Sequence, residues 1–153
     1  GYGYGLSTTL LHLANAYTII ANYGKKVQLT YQKVDNEDIY HEDILDEDIS
    51  KKIIKMMTAV VDSGTGQNAK LDKYSVAGKT GTVRMNIKGA YKKNNHLALF
   101  VGIVPSVNPE YVAAIIVRNP RNGPAAGGKN AAPIFKEFMN HSLNLLKVYP
   151  DKK

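Results

Sequence analysis

Two apolar runs, LALFVGIV over 97–104 and YVAAIIV over 111–117, constrain the fold more than any other feature of the chain. Each has strand length and almost no polar interruption, the pattern of strands covered on both faces of a sheet. A third strand precedes them from Lys79, where Val83, Met85 and Ile87 alternate with Thr82, Arg84 and Asn86. The links KGAYKKNNH and PSVNPE allow antiparallel neighbours but not a parallel crossover, which usually needs a dozen or more residues. The expected class is α+β, with these three strands in an antiparallel sheet of about three to five and helices on both faces.

The helices announce themselves by apolar spacing. Leu6, Leu10, Leu13, Ala14, Tyr17, Ile20 and Ala21 recur at three- and four-residue steps, with Ser7 or Thr8 as the cap and Gly24 as the stop. Val27, Leu29 and Tyr31 then alternate with Gln28, Thr30 and Gln32, which predicts a half-exposed strand. The acidic stretch VDNEDIYHEDILDED reads as an exposed excursion, and its Asp46, Glu47 and Asp48 stand where a helix N-terminus favours negative charge. Ile49, Ile53, Met56, Met57, Val60 and Val61 mark that second helix, with the methionines as core filler and Ser63-Gly64 as its end. After the Gly/Pro-rich loop RNPRNGPAAGGKN, Pro133 opens a last helix. Its Ile134, Phe135, Phe138, Met139, Leu145 and Leu146 are expected to face inward until Pro150 stops it.

Composition removes several functions. Without cysteine there is neither a disulfide framework nor a thiolate metal site, and His12, His41, His96 and His141 are scattered singly, so no metal or other cofactor is expected. No apolar run reaches the eighteen residues of a membrane span. The chain opens GYGYGLS without a methionine or a signal peptide, which suggests a piece of something longer. The net charge of +7 raises nucleic acid as a partner. However, eight of the thirteen acids fall between Asp35 and Asp48, and the lysines are spread without an aromatic-interleaved stripe. No nucleic-acid partner is expected; a solvated basic surface, suited to anionic polymers or lipid headgroups, explains the charge.

Polar chemistry concentrates in VAGKTGTV, Val76 to Val83. Gly78-Lys79-Thr80 spells the end of a phosphate loop, but such a loop needs a glycine where Lys73 stands. What remains is Lys-Thr-Gly-Thr on a strand. There Lys79 can hold a carboxylate, the hydroxyls of Thr80 and Thr82 can share it, and Gly81 lets a substrate backbone lie against the strand edge.

These residues resemble the Lys-Thr-Gly motif of the penicillin-binding proteins and serine β-lactamases. Three further segments, in the same order, are similar to the transpeptidase domain of class B penicillin-binding proteins. They are the helix YGLSTTLLHLANAYTIIANYGK, the helix and loop DEDISKKIIKMMTAVVDSGTGQNA, and GGKNAAPIFKEFM. VGIVPSVNPEYVAAIIVRNP and VYPD resemble most the division-specific branch, penicillin-binding protein 3, with the elongation-specific branch as the competitor. The likeness runs from Gly3 to about Val148, so residues 1–153 are expected to be the C-terminal part of such a domain. His12, Thr9 and Ala126 depart from the glutamine, proline and tyrosine usual in the family, which leaves substrate and antibiotic preference open.

The resemblance implies a peptidoglycan D,D-transpeptidase that cross-links stem peptides through a serine acyl-enzyme. Its parent would be anchored in the bacterial inner membrane, with this domain on the periplasmic side and membrane proteins of the division machinery as partners. By motif position, Lys79, Thr80, Gly81 and Thr82 contact the acyl-D-Ala-D-Ala substrate or a β-lactam antibiotic, and the Thr82 backbone N–H is an oxyanion donor. No serine here has a lysine three residues later, so the nucleophile is expected upstream of Gly1. Ser106-Val107-Asn108 and Ser142-Leu143-Asn144 imitate the family's Ser-x-Asn motif, yet both follow Lys79, whereas that motif precedes it; both read as structural. The chain alone is expected to be catalytically silent and prone to self-association through an uncovered sheet edge. A β-lactamase or D,D-carboxypeptidase of the same superfamily, or a non-catalytic sensor module, are the alternatives.

Overall fold

A computed structural model describes residues 6–32, 34, 40–87, 90–121 and 125–152. In chain order its elements are α1 (Leu10–Ala21), β1 (Lys25–Val27), β2 (His41–Asp43), α2 (Glu47–Asp62), β3 (Ala77–Ile87), β4 (Ala90–Val104), β5 (Tyr111–Arg118) and α3 (Ala132–Leu145). The main sheet has the order β3-β4-β5 and every pair is antiparallel, as the short links require. The α+β class and the antiparallel sheet covered on both faces are therefore what the molecule has.

Each face of the sheet holds its own core. On one, Phe100 and Val104 of β4 meet Phe135, Met139 and Leu143 of α3, with Val61 from the end of α2. The rings of Phe100 and Phe135 lie 4.8 Å apart at 60°, a tilted arrangement that suits their quadrupoles. Glycine at 102 makes room for them, since a Cβ there would stand 2.4 Å from Phe135 Cζ. On the opposite face Ala77 and Ile103 pack against Ile54 and Met57 of α2, and Tyr17 and Ile20 of α1 close the cluster.

Several expectations are corrected. Thr9, not Ser7 or Thr8, caps α1 by accepting the His12 N–H at 3.1 Å, so Leu6 precedes the helix and stands exposed. The strand anticipated through Tyr31 ends at Val27, and Tyr31 is 98 % exposed. Among the described residues β1 pairs with β2 alone, in a small ribbon with no buried face for further alternation. Part of the acidic excursion is itself strand: His41–Asp43 pairs with Lys25–Val27, and Lys26 meets Glu42 at 2.8 Å. Residues 35–39 lie outside the described residues.

The supposed link over 88–96 is strand from Ala90 onward, because ladder pairing with β3 recruits backbone whatever its polarity. A register shift between Arg84 and Asn86 breaks the simple alternation assigned to that end of β3. In α2, Met57 is buried, but Met56 is 63 % exposed and Ile49 also faces outward. In α3 the inward ridge is Phe135, Met139 and Leu143 at four-residue steps; Ile134, Phe138, Leu145 and Leu146 lie on its outer side.

Candidate active site

The motif Lys79–Thr82 lies near the start of β3, whose described neighbour in the sheet is β4 alone. Its other edge therefore has no strand beside it among the described residues. Alternation puts Thr80 and Thr82 on the face that carries Phe100, and Lys79 and Gly81 on the other. The sequence reading placed one carboxylate among all three side chains; on an edge strand such a group sits at the rim, where both faces are within reach.

Two loops bracket the motif. The loop after α2 brings Thr65, whose hydroxyl lies 2.9 Å from that of Thr80. Ahead of α3, a single π-type turn over Gly127–Ala131 crosses the sheet, and the Gly127 N–H donates to Thr82 Oγ1 at 3.3 Å. Asn68 ties the loops together by donating Nδ2–H to the Gly128 carbonyl at 2.7 Å. Within the turn, Asn130 Oδ1 accepts the Ala126 N–H at 2.8 Å.

Gly127 explains how the turn comes so close. A Cβ there would stand 2.2 Å from the Leu99 carbonyl oxygen and 2.8 Å from the Gly81 nitrogen, distances that only a hydrogen can fill. By contrast, a Cβ on Gly81 would meet Leu99 Cβ at 3.3 Å, tight but not forbidden. In the chain itself, Gly127 is thus the more demanding of the two positions.

Lys79 is exposed, and its ammonium donates to the Thr80 carbonyl at 2.9 Å. A surface ammonium held by one neutral acceptor keeps donors for an incoming anion. Next to the turn, at the β5 end of the sheet, Arg121 and Lys129 line a groove of about 540 Å³ with Val117, Pro120 and Asn130. Apart from Lys79, the residues that meet at the motif, Thr65, Asn68, Thr80, Thr82 and Gly127, are neutral. Such a set can bind and orient an anionic, extended ligand; it brings no nucleophile–base pair of its own.

Resolved shifts in acidity lie elsewhere. Burial raises Tyr17, while hydrogen bonding and charge raise Lys26 beside Glu42, lower Glu47 beside Lys51 and raise Lys51 in return. Among the described residues, no group of three or more His, Asp or Glu side chains could hold a metal. Nor is any helix long and apolar enough to cross a membrane.

The two Ser-x-Asn imitations occupy structural positions. Ser106 follows β4 and donates its N–H to Ser75, and Ser142-Leu143-Asn144 lies in α3 with Leu143 in the core. The sequence reading missed Thr65, Asn68 and Gly127 as site residues. Its Gly-Thr-Gly loop and its glycine pair were the available signals.

Known proteins are similar to this chain in sequence and fold. Residues 1–140 match the family described as penicillin binding protein transpeptidase domain. The chain is 35 % identical over 152 residues to the probable peptidoglycan D,D-transpeptidase PenA of Neisseria flavescens, covering 99 % of this chain and 38 % of that protein. It is 38 % identical over 152 residues to the peptidoglycan D,D-transpeptidase FtsI of Buchnera aphidicola subsp. Schizaphis graminum, covering 98 % and 26 %. The apo transpeptidase domain of Burkholderia pseudomallei penicillin-binding protein 3 superposes with a TM-score of 0.91 at 33 % identity, over 99 % of this chain and 46 % of that one. The chain therefore spans between about a quarter and just under half of each of these proteins.

Proposed function

This chain belongs to the penicillin-binding protein transpeptidase family, and on that premise we propose that it supplies one wall of the active site of a peptidoglycan D,D-transpeptidase. The observation that carries the proposal is the edge strand presenting Lys79, Thr80 and Thr82 between the Thr65 loop and the Gly127 turn.

In this reading the terminal carboxylate of an acyl-D-Ala-D-Ala stem peptide meets the Lys79 ammonium and the hydroxyls of Thr80 and Thr82. Lys79 also donates to a serine of the second family motif. The peptide backbone extends along the β3 edge past Gly81. A serine from another part of the natural protein attacks the penultimate D-Ala carbonyl, D-Ala departs, and an amine of a neighbouring stem takes the acyl group. Two easier steps replace one difficult exchange. The Thr82 backbone N–H stabilises the oxyanion together with the N–H of that serine, and loss of one such donor costs about 3 to 4 kcal/mol in the transition state. β-Lactams occupy the same contacts.

The chain itself holds no Ser-x-x-Lys, so it acts as the C-terminal wall of the domain and is silent alone. The likeness to FtsI supports a role in septal wall synthesis, on the outer side of the bacterial inner membrane and in company with membrane proteins of the division machinery. Intact-protein mass after incubation with benzylpenicillin tests this, for the chain and for the natural protein that contains it. An adduct on the longer protein alone is expected. No adduct on either would overturn the reading, and an adduct on the chain would mean that the nucleophile lies within it. Release of cross-linked product rather than hydrolysed product by the longer protein separates transfer from carboxypeptidase or β-lactamase chemistry.

A further inference from the structure

The residues after α3 return to the segment just ahead of β3 and bind it closely. Tyr74 donates its hydroxyl to the Val148 carbonyl at 2.9 Å, the Lys152 N–H donates to the Lys73 carbonyl at 3.2 Å, and Lys152 Nζ donates to the Leu71 carbonyl at 3.1 Å. Between them, Asp151 takes both donors of Ser75: the N–H reaches Oδ1 at 2.7 Å, and the hydroxyl donates to Oδ2.

Ser75 is 9 % exposed and its hydroxyl is fully used. A serine hydroxyl offers one proton and two lone pairs. The proton goes to Asp151, and the lone pairs take the N–H groups of Ser106 at 2.8 Å and Val107 at 3.2 Å. The Ser106 N–H is shared with the Ser75 carbonyl at 3.1 Å, a contact outside the ladder, which ends at Ala77↔Ile103. Asp151 thus fixes which way the Ser75 proton points, and with it how the segment just ahead of β3 is locked to the turn after β4.

Such a lock bears on the motif because it anchors the chain just ahead of Lys79, whereas the ladder slips between Arg84 and Asn86 at the far end. A one-residue slip would exchange the faces of Lys79 and Thr80. Ser75 stands four residues before Lys79, about 13 Å along an extended strand. We infer that Asp151 is a positioning residue: by orienting Ser75 it holds the register of Lys79–Thr82, although it touches no part of the candidate site.

The consequence for acyl transfer rests on the proposed function, whereas the register does not, and two arms of one experiment keep them apart. In the first, backbone amide exchange is followed on this chain in Asp151→Ala, in Ser75→Ala and in the control Lys152→Ala, which loosens the same tail without touching Ser75. Expected is faster exchange, by about tenfold, at Gly78–Thr82 in the first two variants, with Val112–Ile115 of β5 and the control unchanged. If Asp151→Ala does not fold, Ser75→Ala answers the same question. Uniform acceleration, no change, or an equal effect of Lys152→Ala would overturn the inference. In the second arm, the natural protein is acylated by benzylpenicillin at a temperature where all variants are folded. About a tenfold slower acylation in Asp151→Ala, with Lys152→Ala unaffected, is expected. Localised exchange with undiminished acylation would overturn the positioning role. If wild-type protein takes up no penicillin, the functional reading fails while the first arm still decides the register.

Discussion

The hydroxyls of Thr65 and Thr80 lie 2.9 Å apart, joining the loop after α2 to the motif strand. Each hydroxyl has a single proton, so the direction of that bond decides what Thr80 can offer to a ligand. With Thr65 donating, the Thr80 proton remains free for a carboxylate. In Thr65→Val, which keeps the shape, Thr80 loses its oriented partner. Acylation of the natural protein by benzylpenicillin is expected to slow about tenfold, the equivalent of one modest hydrogen bond, with the thermal midpoint little changed. Stopped-flow kinetics measures this, and an unaltered rate would remove Thr65 from the site.

Gly127 carries the next prediction. In Gly127→Ala the new methyl would stand 2.2 Å from the Leu99 carbonyl oxygen, so the turn must lift from the sheet and its bond to Thr82 Oγ1 must break. Overpacking of this kind costs on the order of 1–3 kcal/mol. Urea unfolding should show that loss. Wild-type stability in Gly127→Ala would contradict the close approach.

The two faces of α3 should respond very differently to truncation. Phe135 is fully buried against Phe100, while Phe138 is about half exposed. Phe135→Ala leaves a cavity and is expected to cost about 3–5 kcal/mol, whereas Phe138→Ala should cost well under 1 kcal/mol. Equal midpoints in denaturant would mean that the helix is rotated.

That contrast also shows what the sequence could convey. The strands over 97–104 and 111–117 were legible because their apolar runs are local, and the motif was legible because its four residues adjoin. Phe138 was read as inward because spacing identifies an apolar stripe without identifying which residues at its margin find a partner. Met56 and Met57 differ in burial for the same reason. The contacts that build and brace the site join residues far apart: 15 positions between Thr65 and Thr80 and 45 between Thr82 and Gly127 within it, and 76 between Ser75 and Asp151 beyond it. No periodicity reports such pairs. The family likeness supplied the proposed roles of Lys79 and Thr82, and the fold supplied their surroundings.

A last prediction concerns the start of α2, where Glu47 and Lys51 meet at 2.6 Å one turn apart. Their hydrogen bond and charge lower the Glu47 pKa below its ordinary 4.5 and raise that of Lys51 above 10.5. A depressed carboxyl contributes stability above its unfolded value and loses it as pH falls through the folded one; a raised amine contributes below its unfolded value and loses it as pH rises through the folded one. Both contributions are therefore complete between about pH 5 and pH 10. Both groups are exposed, so the effect is small and screened by salt. Glu47→Gln removes the pair together with a negative charge at the helix N-terminus. Its thermal midpoint at pH 7 in low salt should fall by on the order of 1 °C. The difference from wild type should close as pH drops below the Glu47 range, and should shrink at 1 M salt. Scanning calorimetry across pH would show this convergence, and a gap that persisted in acid would have to come from something other than the charge.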